Sequence, residues 1–142
     1  WTLEQKLDPN LGPSELRQGM AELETSMPML WSLGVARNRI SLARFVEVTS
    51  SNPAKLFGMY PQKGCIAPGS DADVVVLDPT ETRVIDGANM HSASGYSPYD
   101  GWEITGWPKF SISRGEIVAE GSSVDGIPGR GLLVPRRPFS RP

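Results

Sequence analysis

The sequence predicts an α+β chain in which helices come first and antiparallel strands follow. Three observations carry this. Apolar residues recur at helical spacing from Met27 to Thr49, the period changes to two beyond Asp78, and a cluster of Gly, Pro, Ser and Asp punctuates the changeover.

Trp1 to Gly19 lack a sustained apolar period and contain Pro9, Gly12 and Pro13. They are expected to form a long loop with at most one helical turn, the kind of loop that often carries function. From Glu24 the pattern changes: Met27, Leu30, Trp31 and Leu33 share a helical stripe, Pro28 fits a first turn, and Gly34 is placed to stop the helix. Ser41 then caps a second helix, with Leu42, Phe45, Val46 and Thr49 on the buried side and Arg44 and Glu47 opposite. Asn52 is expected to cap a third, short helix carrying Pro53 in its first turn and ended by Gly58 in a left-handed conformation.

A turn rich in Gly, Pro, Ser and Asp leads to Val74–Leu77, apolar on both faces and therefore expected to be covered on both. Thr82 to Asp86 reads as a weak strand. Trp102, Ile104 and Gly106 alternate with Glu103 and Thr105 until Trp107-Pro108, which is expected to interrupt the ladder. Phe110 and Ile112 alternate with Ser111 and Ser113, and Arg114-Gly115 then make a two-residue hairpin turn into Glu116–Glu120, with Gly115 suited to the positive φ of a primed turn. Residues 87–101 read as an extended connection. Residues 124–142, with their repeated Gly and Pro, read as a tail lying on another surface.

Composition excludes several function classes. The net charge is -2, and the basic residues Arg130, Arg136, Arg137 and Arg141 are separated by Gly and Pro with no aromatic platform between them. Neither nucleic acid nor a membrane is expected as a partner, because the first needs dense phosphate neutralisation and the second an apolar run of about 20 residues. One cysteine, Cys65, rules out an intramolecular disulfide framework and reads as a small residue at a strand edge. The chain starts at Trp1 with no initiator Met and no signal-peptide pattern, so a processed or truncated product is expected.

The residues that carry chemistry are few. His91 is the sole histidine and lies 26 positions from Cys65, with no ligand pattern between them. It is expected to be a hydrogen-bonded structural residue. Asp71 and Asp73 are close enough in sequence to act as an acid–base pair, but their place at the head of a strand favours a turn that holds backbone amides. Tyr99, Trp102 and Trp107 are expected to pack in the core and at interfaces. No catalytic residue and no metal ligand is assigned within the chain.

Several separated runs nevertheless resemble one family in order: Ser51-Asn-Pro-Ala-Lys-Leu-Phe-Gly58, the Gly69-Ser-Asp-Ala-Asp73 run leading to Asp78, Tyr96-Ser-Pro-Tyr-Asp-Gly-Trp102, Gly106-Trp-Pro108 and Arg114-Gly-Glu116. Together they resemble the C-terminal portion of the hydantoinase/dihydropyrimidinase branch of the amidohydrolase superfamily. The resemblance implies that residues 1–62 close a (β/α)8 barrel with the loop and helices after its last strand. Residues 63–121 would supply strands of a small β-sandwich, and residues 122–142 an extended tail. The partner surface that the two helical stripes lack would be the rest of that barrel.

The resemblance also implies the chemistry: hydrolysis of the ring amide of hydantoins or dihydropyrimidines to N-carbamoyl amino acids, with a divalent metal pair, two zinc ions, as cofactor. The ligands in that family, an HxH pair, a carboxylated lysine, two further histidines and an aspartate, would by this resemblance all be expected upstream of Trp1. One site element is retained. The family's Pro-Asn-Gly segment, whose Asn main chain holds the ring amide, aligns with Arg17-Gln18-Gly19, which makes the Gln18 main chain the candidate substrate-binding group. Arg17 replaces the Pro and frees φ. Implied partners are the upstream part of the same protein, further copies of it through the sandwich and tail, and a small cyclic amide. The implied location is the cytoplasm. The alternatives are a related allantoinase or dihydroorotase, a non-catalytic oligomerising scaffold of the same fold, or a fragment that acts alone as a binding module.

Overall fold

The computed structural model describes residues 1–138, so the end of the expected tail, including Arg141, lies outside the described residues. Helical elements fill the first half, while the second holds one four-stranded antiparallel sheet and, in the connector expected to be extended, a 3₁₀ turn at Gly87–Asn89. No described helix is long and apolar enough to cross a membrane.

The first turn of helix, α1 (Leu3–Lys6), is fixed by reciprocal capping. The Thr2 hydroxyl accepts the Gln5 N–H, and the Gln5 side chain accepts the Thr2 N–H. Helix α2 (Ser26–Leu30) passes into a π-helical turn, Trp31–Val35. Its expected stripe is only half-buried, and the face turned inward carries Thr25, Pro28, Ser32 and Gly34 instead. Here the helix approaches the sheet closely: Ser32 Oγ accepts the Thr105 N–H at 3.2 Å, and Trp31 sits directly on Gly106. Nor does Gly34 stop this helix. Its missing side chain admits Ile40, and the left-handed residue is Asn38, at φ 55°.

Ser41 caps α3 (Leu42–Val46) as expected, accepting the Arg44 N–H at 3.1 Å. Asn52 is not a cap. A π-helical turn, Glu47–Ser51, continues straight into α4 (Asn52–Leu56), with helical backbone at both junctions and the Asn52 N–H bonded to the Glu47 carbonyl. The wide turn explains how Pro53 fits. An α-ladder at this point would need a proline N–H and would drive the ring into the carbonyl four residues back. Gly58 (φ 68°) ends the helix as expected, with its N–H on Lys55 O and the Met59 N–H on Ala54 O.

The sheet comprises β1 (Val74–Val84), β2 (Glu103–Ser113), β3 (Glu116–Glu120) and β4 (Ser123–Val124), each paired with the next. Trp107-Pro108 does not break the ladder. Val76 faces Phe110 and Leu77 faces Pro108, so Lys109 is extruded as a bulge that absorbs the irregularity. A second bulge in β1 lies between Asp78, opposite Trp107, and Thr82, opposite Thr105. The Asp78 carboxylate holds it by accepting the Thr80 and Glu81 N–H groups. Arg114 (φ 51°) and Gly115 (φ 82°) form the expected primed turn.

Ile85, Ile104 and Trp107, each no more than 4% exposed, form the core, with Met29, Met90 and Tyr99 packed on it. Trp102 stays outside at 49% exposed, although Tyr99 meets its ring edge-on. Val75 and Val76 are also exposed, so the double covering expected of this strand is not provided by the described residues. Those residues form one sheet.

Candidate functional site

The loop after α1 is built from local turns. The Asp8 carboxylate accepts from the Asn10 N–H at 2.9 Å, and the Glu15 carboxylate accepts the Gly12 N–H at 3.0 Å around the short turn Pro13–Glu15. Beyond it the chain is fastened on both sides of Gln18. The Arg17 guanidinium lies 4.5 Å from the centre of the Trp1 ring. The Lys6 ammonium donates to the Arg17 carbonyl at 2.6 Å and also to the Gly19 carbonyl.

Gln18 itself is exposed, and neither its N–H nor its C=O has a hydrogen-bond partner among the described residues. It lines a cleft of about 430 Å³ that is also walled by the connector stretch Ser92, Ala93, Ser94 and Tyr96. That wall is held from both ends. Glu24 accepts the His91 N–H at 2.9 Å and meets His91 Nδ1 at 3.1 Å, while the Asp100 carboxylate accepts the Gly87 N–H at 2.6 Å and the Ser97 N–H at 3.2 Å.

Lys6 supplies the one charged side chain lining the cleft. Among the described residues no carboxylate or histidine lines it, and the polar groups that do are suited to a neutral polar ligand. The free N–H and C=O of one residue are a donor and an acceptor side by side, the complement of the acceptor and donor of an amide.

The other candidates have structural roles. His91 is the hydrogen-bonded residue expected, and among the described residues no group of three His, Cys, Asp or Glu is arranged to hold a metal ion. One imidazole, bonded through Nδ1 to Glu24, is fewer protein ligands than a catalytic divalent metal needs, so the described residues by themselves do not make up such a site. Cys65 is not at a strand edge. It lies in the turn before β1, its thiol donating to the Pro61 carbonyl at 3.3 Å beside Ser70 Oγ at 3.2 Å.

Asp71 and Asp73 share Lys63 and are no acid–base pair, and Asp73 also accepts the Arg114 N–H at 2.8 Å, which ties this turn to the hairpin tip. The hydrogen bond from Lys63, helped by Gln62, holds Asp71 below the ordinary carboxylate range. Burial pushes Asp73 up, but the bonds from Lys63 and the Arg114 N–H outweigh it and hold this carboxyl low as well. Burial likewise pulls Lys63 down, and the two aspartates more than offset it, leaving the ammonium above the usual lysine value.

Sequence reading singled out Gln18 but missed Lys6, Glu24 and the connector wall. The Thr2-x-x-Gln5 capping pattern was the one available signal for the turn that presents Lys6. Nothing local announces a pairing such as Glu24 with His91, 67 positions apart.

Comparison with known proteins adds to this geometry. The profile of the amidohydrolase family matches residues 12–118. A D-phenylhydantoinase from Escherichia coli O1:K1 / APEC is 41% identical over 143 residues, spanning 100% of this chain and 31% of that protein. A solved structure of the D-hydantoinase (dihydropyrimidinase) from a Thermus species superposes with a TM-score of 0.91 at 36% identity, over 98% of this chain and 30% of the other. The dihydropyrimidinase from Brevibacillus agri gives a TM-score of 0.78 at 45% identity, over 82% of this chain and 25% of the other. The chain thus spans about a third of the length of the curated relatives it matches.

Proposed function

The chain belongs to the amidohydrolase family and is of the hydantoinase/dihydropyrimidinase type, and from that premise we propose that it is the C-terminal portion of a cyclic-amide hydrolase. The whole protein opens the ring amide of hydantoins or dihydropyrimidines to N-carbamoyl amino acids. Residues 1–62 end its barrel, residues 63–121 contribute to a sandwich domain, and residues 122–142 form a tail. The observation that supports this reading is Gln18, whose own N–H and C=O have no partner among the described residues and which lines a cleft large enough for a small ring.

This chain's share of the reaction is to bind and orient. The Gln18 main chain pairs with the ring amide, and the wall at Ser92–Tyr96 confines the ring against it. The family is metal-dependent in general; the metal, two zinc ions in this reading, is assigned to residues outside this chain, and none of its own side chains is given a chemical step. Assembly into homo-oligomers, a homotetramer in this reading, draws support from the apolar side chains left uncovered, among them Val75, Val76 and Leu133. The proposed location is cytoplasmic.

The test is turnover by the full-length protein. Hydantoin or dihydrouracil should give the N-carbamoyl amino acid, detected as product. Absence of product from a folded, metal-replete protein with either ring would favour the non-catalytic scaffold.

A further inference from the structure

We infer that Lys6 is a positioning residue for ring binding, its ammonium holding the Gln18 peptide open by tying down the carbonyls on either side of it. This rests on the reading of Gln18 as the ring-binding main chain.

An ammonium offers three donors and no acceptor, and here two of them are spent on the Arg17 and Gly19 carbonyls. The bracketed segment needs such a restraint. Gly19 sits at φ 89° with nothing within 4 Å of where a Cβ would project, so neither sterics nor packing limits it. Arg17 has no ring to lock its φ either. Lys6 can supply the restraint because it lies at the end of a turn fixed by the Thr2–Gln5 capping box.

The energetic consequence follows from populations. If an unfastened loop presents Gln18 correctly for only a fraction of the time, apparent affinity falls by that fraction, while the chemical step of the complexes that do form is unaltered. Loss of Lys6 should therefore appear in KM and leave kcat nearly intact. Both contacts run to main-chain oxygens, so the clamp works whatever side chains occupy positions 17 and 18.

The experiment compares Lys6→Met, which keeps an apolar stem and removes the ammonium, with Lys6→Arg, which restores a cation, in the full-length protein. Gln18→Pro serves as the control for the site itself. Steady-state kinetics on hydantoin and thermal melting are measured for each. The expected result is that Lys6→Met raises KM by about tenfold with kcat held within about twofold, that Lys6→Arg recovers most of the loss, and that both melt with the wild type. An unchanged KM in Lys6→Met alongside an impaired Gln18→Pro would overturn the role of Lys6 alone. A silent Gln18→Pro would overturn the reading of the site and the role of Lys6 with it. A Lys6→Met protein that melts early and loses kcat with KM unchanged would make the residue structural and overturn the inference.

Discussion

At the scale of single residues, the account depends on a distinction between side chain and main chain at Gln18. Its side chain is exposed and makes no hydrogen bond among the described residues, so Gln18→Ala should leave kcat/KM of the full-length protein nearly unchanged. Gln18→Pro removes the N–H and restricts both its own φ and the residue before it, and should lower kcat/KM by about tenfold or more. Equal kinetics for the two variants would contradict this. The Lys63–Asp71–Asp73 cluster yields a second residue-scale expectation, in pH. Asp71, Asp73 and Asp78 all have folded pKa values below the ordinary range, so the stability they lend is present above about pH 4 and is lost as pH falls through those lowered values. Lys63 is raised, so its contribution is present below about pH 10.4 and is lost as pH rises through the raised value. Lys63→Met should melt lower than wild type at pH 7 and show a shallower loss of melting temperature between pH 5 and pH 2. Parallel melting curves across that range would contradict the assignment.

At the scale of elements, the helix continuing from α3 is anchored by Phe45, 7% exposed and meeting Trp31 edge-on with ring centroids 5.4 Å apart. Phe45→Ala should cost about 3–5 kcal/mol by removing that contact and leaving a cavity, measured by denaturant unfolding; a variant as stable as wild type would show the face was wrongly identified. The elements also mark where sequence was informative. The Ser41 cap, the Gly58 stop and the Arg114-Gly115 turn were legible because each is settled by the backbone chemistry of a few adjacent residues. The passage of the helix through Pro53 and of β2 through Pro108 was not, because in both cases a register change, a π turn or a bulge, removes the steric objection that proline raises locally. The inward face of α2 was misjudged for a related reason. Close approach to the sheet puts Ser32 on the Thr105 N–H, while Gly34 leaves room for Ile40, and only tertiary structure reveals either contact. In the cleft, resemblance singled out Gln18 as a candidate, whereas the Lys6 contacts and the Glu24–His91 link join residues distant in sequence and carry no periodic signal.

At the scale of the whole molecule, the chain carries a cleft and a set of exposed apolar side chains. Leu132 and Leu133 after the last strand and Val75 and Val76 on β1 are apolar and exposed, and among the described residues no carboxylate or histidine lines the cleft at Gln18. The isolated 142-residue chain should therefore bind no stoichiometric divalent metal and hydrolyse neither hydantoin nor dihydrouracil; turnover by the purified chain with bound zinc would refute this. The most direct measurement is a crystal structure of the full-length protein with a hydantoin or dihydropyrimidine ring bound. The account predicts the ring amide within hydrogen-bonding distance, about 2.7–3.2 Å, of the Gln18 main chain, with Lys6 still joined to the carbonyls of Arg17 and Gly19. A ring bound elsewhere, with the Gln18 peptide facing solvent, would contradict it.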